Sequence, residues 1–575
     1  MSKLVKKGSL SVAAIAVISA VLSGCATSDT NHANSASASS AASTNSEKPV
    51  KGGTLTVDMN EAVPDLDPAV AYDATSAEVT SQLYDQLVTY DKTSYKIVGD
   101  LAKTWSVSKD GLTYTFHLRP GVKFSNGDPL SAKDFVFELE RILDKNLKLK
   151  PSPGNQFFMD IQGASEYYNG TAKTISGISA PNDDTLVIKL VKPETFFLQV
   201  LALPFLSAVD PAYIQKVGNT AFDTTTAMGT GPFELASNSQ SKVVLKRNPY
   251  YWKKDAYGNQ LPYLNQVTIN INPNTQVDEL QWEQGTNAFL SPNLMGGDGI
   301  PTSQFNTIMH NPKYSKLVMK EQENSINYIG MNMQKTIQGK PNPLANLKVR
   351  QAIEYAFDAN QIVKIEDGKV LSLNQPLPSG MPGHVQHLDA DAQYGFNIAK
   401  AKQLLKEAGY SNGLTIDFWD QNSPDSLRVD QAIQSMMQAV GIHLRLHEVS
   451  FSDFLAEGMS GNAQMYMSAW SQDFPDPSDF LNTLFNSNQI PDNNMNHYSN
   501  PQVDKELNAA EYMTDQQARD QLYAKVTNQV MADAAWVPVD QTMGFAAVNP
   551  WVHGFTMSPV LTDPFQYIWI DKNHS

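Results

Sequence analysis

From Leu414 to Ala469 the chain alternates strand and helix with little between them. Leu414 to Trp419 reads as a strand, Leu427 to Val440 as a helix and Ile442 to Val449 as a strand; Ser452 to Glu457 reads as a short helix and Met465 to Ala469 as a strand. Apolar residues recur every second position in the strand segments and every third or fourth in the helical ones. This order predicts a mainly parallel sheet covered by helices, and so an α/β fold. In such sheets ligands bind outside the carboxyl ends of the strands. The last strand runs at that end into Ser471-Gln472-Asp473-Phe474-Pro475-Asp476-Pro477-Ser478-Asp479. Two prolines and three aspartates cannot continue a ladder. Asp473 therefore stands where a buried strand can deliver a negative charge into a cleft.

The preceding chain is of a different kind. Gly53-Thr54-Leu55-Thr56-Val57-Asp58 alternates as a strand, and Asp65-Leu66-Asp67-Pro68 is a turn. Thr75-Ser76-Ala77-Glu78 has the form of a capping box for a helix carrying Val79, Leu83 and Leu87. Thr104 to Ser108 and Leu112 to Leu118 flank Asp110-Gly111, which favours a tight type I′ hairpin. Ser131 and Asp134 open a helix with Phe135, Val136, Leu139, Ile142 and Leu143 on its apolar side. Residues 145–185 are irregular. Met228-Gly229-Thr230-Gly231-Pro232-Phe233 is a glycine turn into a strand and lacks the third glycine and helix of a dinucleotide site. Further on, Tyr328 to Met333 reads as a strand, Asn346 caps a helix bearing Val349, Ala352, Ile353 and Ala356, and Gly409 ends another bearing Ile398 to Ala408.

The first 24 residues read as a targeting signal. Lys3, Lys6 and Lys7 precede the apolar run Leu10 to Leu22, which is short for a membrane span. It ends in Leu22-Ser23-Gly24-Cys25, and Cys25 is the only cysteine among 575 residues. Ser, Ala, Thr and Asn dominate 25–50, a composition that predicts a flexible tether of roughly 25–30 Å. The formal charge of −16 becomes more negative by three once the signal's lysines leave, and nothing in the body supplies the basic stripe that nucleic acid requires. Apolar residues at 41% suffice for a large core, which no intramolecular disulfide can staple.

Catalytic and metal motifs are wanting. There is no His-Glu-x-x-His and no Gly-x-Ser-x-Gly, and Gly458-Met459-Ser460-Gly461 has the wrong spacing. His384 and His387 are close in sequence, and His443 and His447 share a strand face, without metal-ligand spacing. Asp473, Asp476 and Asp479 lack the bidentate glutamate of a calcium loop. The expectation is a binding protein with no cofactor and no catalytic residues.

An ordered set of segments resembles the extracytoplasmic solute-binding proteins of peptide ABC importers, solute-binding family 5. They are the cysteine-terminated signal, Gly52-Gly53-Thr54-Leu55 through Asp67-Pro68, Leu101-Ala102-Lys103-Thr104-Trp105 with Asp110-Gly111, and Leu118-Arg119-Pro120-Gly121-Val122-Lys123-Phe124. Gly229 to Phe233, Asn248-Pro249-Tyr250-Tyr251-Trp252, Val349-Arg350-Gln351-Ala352 and Trp470 through Pro477 complete the set. The resemblance implies a two-lobed, periplasmic-binding-protein-like (type II) α/β fold with an extra inserted subdomain, closing by a hinge over a central cleft. It divides the chain into signal 1–24, tether 25–50, lobe I 51–90, inserted subdomain II 91–228, lobe I again 229–314, an α/β lobe 315–540 and a last piece of lobe I 541–575.

The resemblance further implies a monomeric receptor, lipidated at Cys25 and held on the outer face of the bacterial cytoplasmic membrane. It would bind oligopeptides and hand them to a membrane-embedded ABC permease. Asp473 matches the aspartate that pairs with a peptide's α-amino group in peptide-binding members, a role that suits a buried carboxylate. Asp476 and Asp479 fall to capping and loop duties. Trp470 reads as a cleft aromatic or as a core tryptophan. The backbone of Ala469, Trp470 and Ser471 can pair with an extended peptide, and Tyr72, Asp73 and Ala74 match the opposite edge. Met467 stands where some members carry an arginine that captures a carboxylate, a departure that favours longer or less charged peptides. The alternatives are a receptor of the same fold for a non-peptide solute, such as a metal chelate or a sugar, or a signalling receptor for a peptide pheromone.

Overall fold

The computed structural model describes residues 48–574 except 93, 148–150, 297, 298, 423, 559 and 561. The expected signal, Cys25 and nearly all of the tether lie outside the described residues.

Three principal sheets organise the body. Thr54–Met59 lies parallel to Gln266–Ile271, and Lys242–Arg247 and Phe233–Ser239 extend that sheet antiparallel. A second sheet, Ala102–Val107, Thr113–Leu118, Thr185–Lys189 and Ile178–Asn182, is antiparallel throughout. The third has seven strands. Leu414–Gln421 pairs in parallel with Ile442–Val449 on one side and with Met465–Ser471 on the other, as the alternating order requires. Beyond Met465–Ser471 it turns antiparallel, through Val318–Met331 and then Trp536–Val548. The sheet is therefore mixed where a mainly parallel one is expected, because two long strands from distant parts of the chain join it.

Those two strands also pass between hydrophobic cores. Their Ile326–Met331 and Trp536–Val539 ends contribute to the cores of the α/β region, whereas Met543 to Ala547 packs with Leu55, Val57, Leu245 and Phe289. The register between the strands breaks between Gln322 and Ile326. A further core runs from Ala69 to Ala208 around the second sheet and includes one distant residue, Phe474. Close packing fixes the pairing of Met465–Ser471 with Val318–Met331. A Cβ on Gly330 would lie 2.1 Å from the ring of Tyr466, so only glycine lets that ring cross the neighbouring strand.

Helix starts follow local chemistry. Ser131 and Asp134 form a capping box, Asn346 caps Leu347–Ala356 and Asn397 caps Ile398–Glu407. The first helix, Ala74–Leu83, begins earlier than Thr75-x-x-Glu78 suggests. Asp73 is its cap, accepting from Ser76 N at 2.9 Å, while Glu78 is fully buried and accepts from Asp563 N. The Asp110-Gly111 hairpin also departs from expectation. Its closing bond joins Ser108 N to Thr113 O, and of its loop residues only Gly111 has positive φ, so this is a longer loop than the type I′ turn.

Candidate functional site: the Met465–Asp479 strand and loop

Leu414–Gln421 and Met465–Ser471 form a fork. They pair at Phe418–Met465 and Trp419–Tyr466, and the ladder ends there. On its other edge Met465–Ser471 stays paired with Val318–Met331 as far as Ser471–Ser325. Asn332 N donates to Gln464 O and Gln472 N to Asn324 O. Backbone alternation therefore aims the amides and carbonyls of the even residues at that neighbour, and those of Met467, Ala469 and Ser471 at the open side. A cavity of about 520 Å³ fills the fork, lined by Met467, Ser468, Ala469 and Trp470 and by Asp420 and Asp540. Burial pushes Asp420 up to about 6 and Asp540 up to about 7.

A second cavity of about 690 Å³ lies on the other side of Trp470, which lines both. Tyr72, Phe157, Lys192, Glu194, Asp473, Asp479 and Glu511 are among its walls. The Asp473–Asp479 loop is held from two directions. Phe474 is buried at 6% exposure, stacked 5.0 Å from Phe196 and edge-on to Phe157, in the core built from residues 69–208. Asp476 caps Pro477–Phe485 through Ser478 N and meets Arg519 with both oxygens, at 2.8 and 2.6 Å. Between these anchors Asp479 accepts from Asp473 N at 3.0 Å and from the Trp470 indole at 3.3 Å, which sets the direction of Asp473.

Asp473 receives the Tyr72 hydroxyl at 2.6 Å. Burial raises its carboxyl, and that hydrogen bond pulls it back down. Asp479 is held well above the usual carboxylate range, first by burial and next by the charge of Asp473. Burial and the same two carboxylates raise the Tyr72 phenol. The site thus concentrates negative charge under partial desolvation, a condition that favours an incoming cation.

Of the residues singled out from sequence, Asp473, Trp470 and Tyr72 come together at the larger cavity, and Met467, Ala469 and Trp470 at the smaller. Trp470 is half-buried, packs on the core beneath and lines both cavities. Ser471 hydrogen-bonds Ser325 through its hydroxyl. Asp73 and Ala74 are exposed, and Asp73 spends its carboxylate on Thr75 and Ser76. Arg350 is buried against the carbonyls of Leu344, Asp533 and Ala534, and Arg428 pairs with Glu366. Neither is among the described lining residues of the two cavities, although Glu366 lines the smaller one. Lys192 is the one Lys or Arg among the described lining residues of the two cavities, 3.2 Å from Asp160 and bonded to the Tyr512 hydroxyl. Sequence reading misses Lys192 and Glu194, which lie just past the strand Thr185–Lys189 in a stretch with no period to place them. Among the described residues no three His, Cys, Asp or Glu side chains are arranged to hold a metal, and no helix is long and apolar enough to cross a membrane.

Comparison with known proteins points the same way. The family profile described as "Bacterial extracellular solute-binding proteins, family 5 Middle" matches residues 96–492. The chain is 30% identical over 524 residues to a protein named heme-binding protein A from Haemophilus influenzae, covering 88% of this chain and 90% of that one. It is 30% identical over 520 residues to a probable D,D-dipeptide-binding periplasmic protein from Escherichia coli, covering 88% and 92%. Among solved structures, an ABC transporter-associated periplasmic binding protein from Helicobacter pylori, in complex with the peptide STSA, superposes with a TM-score of 0.72 at 25% identity, over 91% of this chain and 99% of that one. The fold is accordingly the two-lobed type II periplasmic-binding-protein fold.

Proposed function

We propose, from the premise that this chain belongs to the family 5 bacterial extracellular solute-binding proteins, that it is a receptor for oligopeptides with a free amino terminus. The observation that carries the reading is Asp473, a partly desolvated carboxylate beside an open strand edge, with the Tyr72 hydroxyl as its one side-chain donor among the described residues. The peptide's ammonium meets Asp473, and its backbone pairs with the outward groups of Met467, Ala469 and Ser471 as an added strand. Tyr72 to Ala74 border the opposite side, with Tyr72 closest to the ammonium. Backbone pairing is indifferent to side chains, and the two cavities leave room for them.

Delivery to a membrane-embedded ABC permease follows from the family's role, with Cys25 as the lipid attachment and the monomer as the working unit. The lobes divide as 51–90, 229–314 and 541–575 for lobe I, 91–228 for the inserted subdomain and 315–540 for the α/β lobe. Closure is a hinge motion about the two long strands, and the register break at Gln322–Ile326 supports this position for the hinge. Calorimetric titration of the mature protein with a free-amino tetrapeptide and its N-acetylated form tests the reading. Acetylation abolishes measurable binding if Asp473 holds the ammonium, and equal affinities overturn it.

A non-peptide solute is the second reading, favoured by the relative named for heme binding. The larger cavity weighs against it for heme, because a dianionic ligand would face a wall rich in carboxyl groups, Asp160, Asp473 and Glu511 among them, with Lys192 the one Lys or Arg among the described lining residues. A Soret titration decides: saturable absorbance changes with hemin and none of the peptides binding would favour heme.

A further inference from the structure

In the larger cavity most charged groups have partners. Asp473 has Tyr72, Asp160 has Lys192, Glu511 accepts from the Tyr512 hydroxyl and Asn482, and Asp479 holds the loop. Glu194 differs. It is 7% exposed, and its Oε2 is buried with no hydrogen-bond partner. Its backbone is fixed, because its carbonyl accepts the Tyr114 hydroxyl at 3.0 Å, and Phe196, two residues on, is stacked on Phe474. Glu194 is itself a wall of the larger cavity, together with Asp160, Lys192 and Glu511. A buried polar group left unmatched is costly, and its persistence beside a cavity calls for a partner from outside the chain.

We propose that Glu194 is a specificity-determining residue that accepts a second cation of the ligand, the ammonium or guanidinium of a lysine or arginine side chain, while Asp473 holds the α-amino group. The inference rests on the peptide reading above and narrows it to peptides bearing a basic residue. The make-up of the wall agrees, with five carboxyl groups to one lysine among its described residues. Burial, and then the charges of Asp160 and Glu511, push Glu194 up to about 8; Asp476 adds to the rise and Lys192 opposes it. The unliganded carboxyl is therefore mostly protonated at neutral pH, and a bound cation drives its proton into solvent. Binding of a basic peptide should then release a proton that a neutral peptide does not.

The test titrates the mature protein at pH 7 with tetra-alanine and with four variants carrying lysine at each position in turn, in phosphate and in Tris buffer. At least one lysine peptide should bind on the order of tenfold more tightly than tetra-alanine, with proton release visible as a buffer-dependent enthalpy. Glu194→Gln keeps the shape of the protonated acid, and its melting temperature reports folding. In that variant the lysine-to-alanine affinity ratio should fall to within about twofold of one and the proton release should vanish. Arginine in the favoured position should behave as lysine does. If tetra-alanine binds and no lysine peptide gains, or if the gain survives Glu194→Gln, the assignment of Glu194 is overturned and the peptide reading stands. If none of the peptides binds, the peptide reading itself falls and this assignment with it.

Discussion

Asp476 and Asp473 sit three residues apart on one loop and are treated in opposite ways. Asp476 points inward and is saturated: both oxygens meet the Arg519 guanidinium, and Ser478 adds its amide and hydroxyl at 2.9 and 2.6 Å. Arg519 is equally committed, donating as well to Ala510 O at 3.0 Å. Asp473 points to the cleft, and the donors that it and Asp479 meet are neutral ones: Tyr72 on Asp473, and the Trp470 indole and the Asp473 amide on Asp479. The protein neutralises charge where it needs a fixed structure and withholds the counter-ion where it has a cavity. The anchors at Asp476 and Phe474 hold the loop while Asp473 keeps a neutral hydroxyl in place of a counter-ion.

The contrast is broken most severely at its inner end. Arg519→Met leaves Asp476 buried without a counter-ion and should destabilise the unliganded protein by about 3–5 kcal/mol in chemical denaturation. Adding Asp476→Asn, which can still cap Pro477–Phe485, should restore much of that loss; no recovery would mean that Arg519 acts through packing and not through charge. At the cleft end Asp473→Ala should leave stability nearly unchanged or raised, because it removes a desolvated carboxyl, yet weaken binding of a free-amino peptide by about 2–5 kcal/mol in calorimetry. A loss of stability without a loss of affinity would reverse the roles given to the two aspartates.

The pH dependence of the ligand-free protein sharpens the comparison. Burial raises Glu138 and Glu194 to about 8 and Asp278 and Asp540 to about 7. A carboxyl raised in the folded state binds its proton more tightly there than when unfolded. Its cost is absent below the ordinary carboxylate range and is present in full above the folded value. Asp73 and Asp417, lowered by their hydrogen bonds and in the latter case by Arg445, run the other way and lose their contribution as pH falls below about 4. The melting temperature should therefore be highest near pH 5 and fall between pH 5.5 and 8.5. Scanning calorimetry at those two values checks the sign, and a higher temperature at pH 8.5 would contradict it.

What the sequence discloses here is what is local. The fork of parallel strands follows from alternation between Leu414 and Ala469, and the cap at Asp476 from a Pro-Ser-Asp run ahead of an apolar stretch. Even locally, Asp73, Thr75 and Ser76 compete as caps, and the carboxylate won. The antiparallel half of the sheet left no such trace, because Asn327 and Asp540 meet although they lie 213 positions apart. Nor does any local pattern tie Tyr72 to Asp473, 401 positions apart, or Lys192 and Glu194 to the cavity that they share with Glu511. A cavity wall assembled from chain segments this remote is visible only in three dimensions.

The smallest change tests the finest point of the comparison, whether Tyr72 merely occupies Asp473 until a ligand arrives. The hydroxyl uses one of about four acceptor positions on an ionised carboxylate, so an ammonium can join it without expelling it. Tyr72→Phe keeps the ring against Phe205, 5.5 Å away, and removes only the hydrogen bond. Stability should fall by about 0.5–1.5 kcal/mol. Asp473 should titrate at higher pH than in the parent, because the interaction that pulls its carboxyl down is gone. Carboxyl-carbon NMR of the two proteins reads that shift directly. An unchanged titration would mean that the hydroxyl does not hold Asp473, leaving the loop anchors at Phe474 and Asp476 to position it alone.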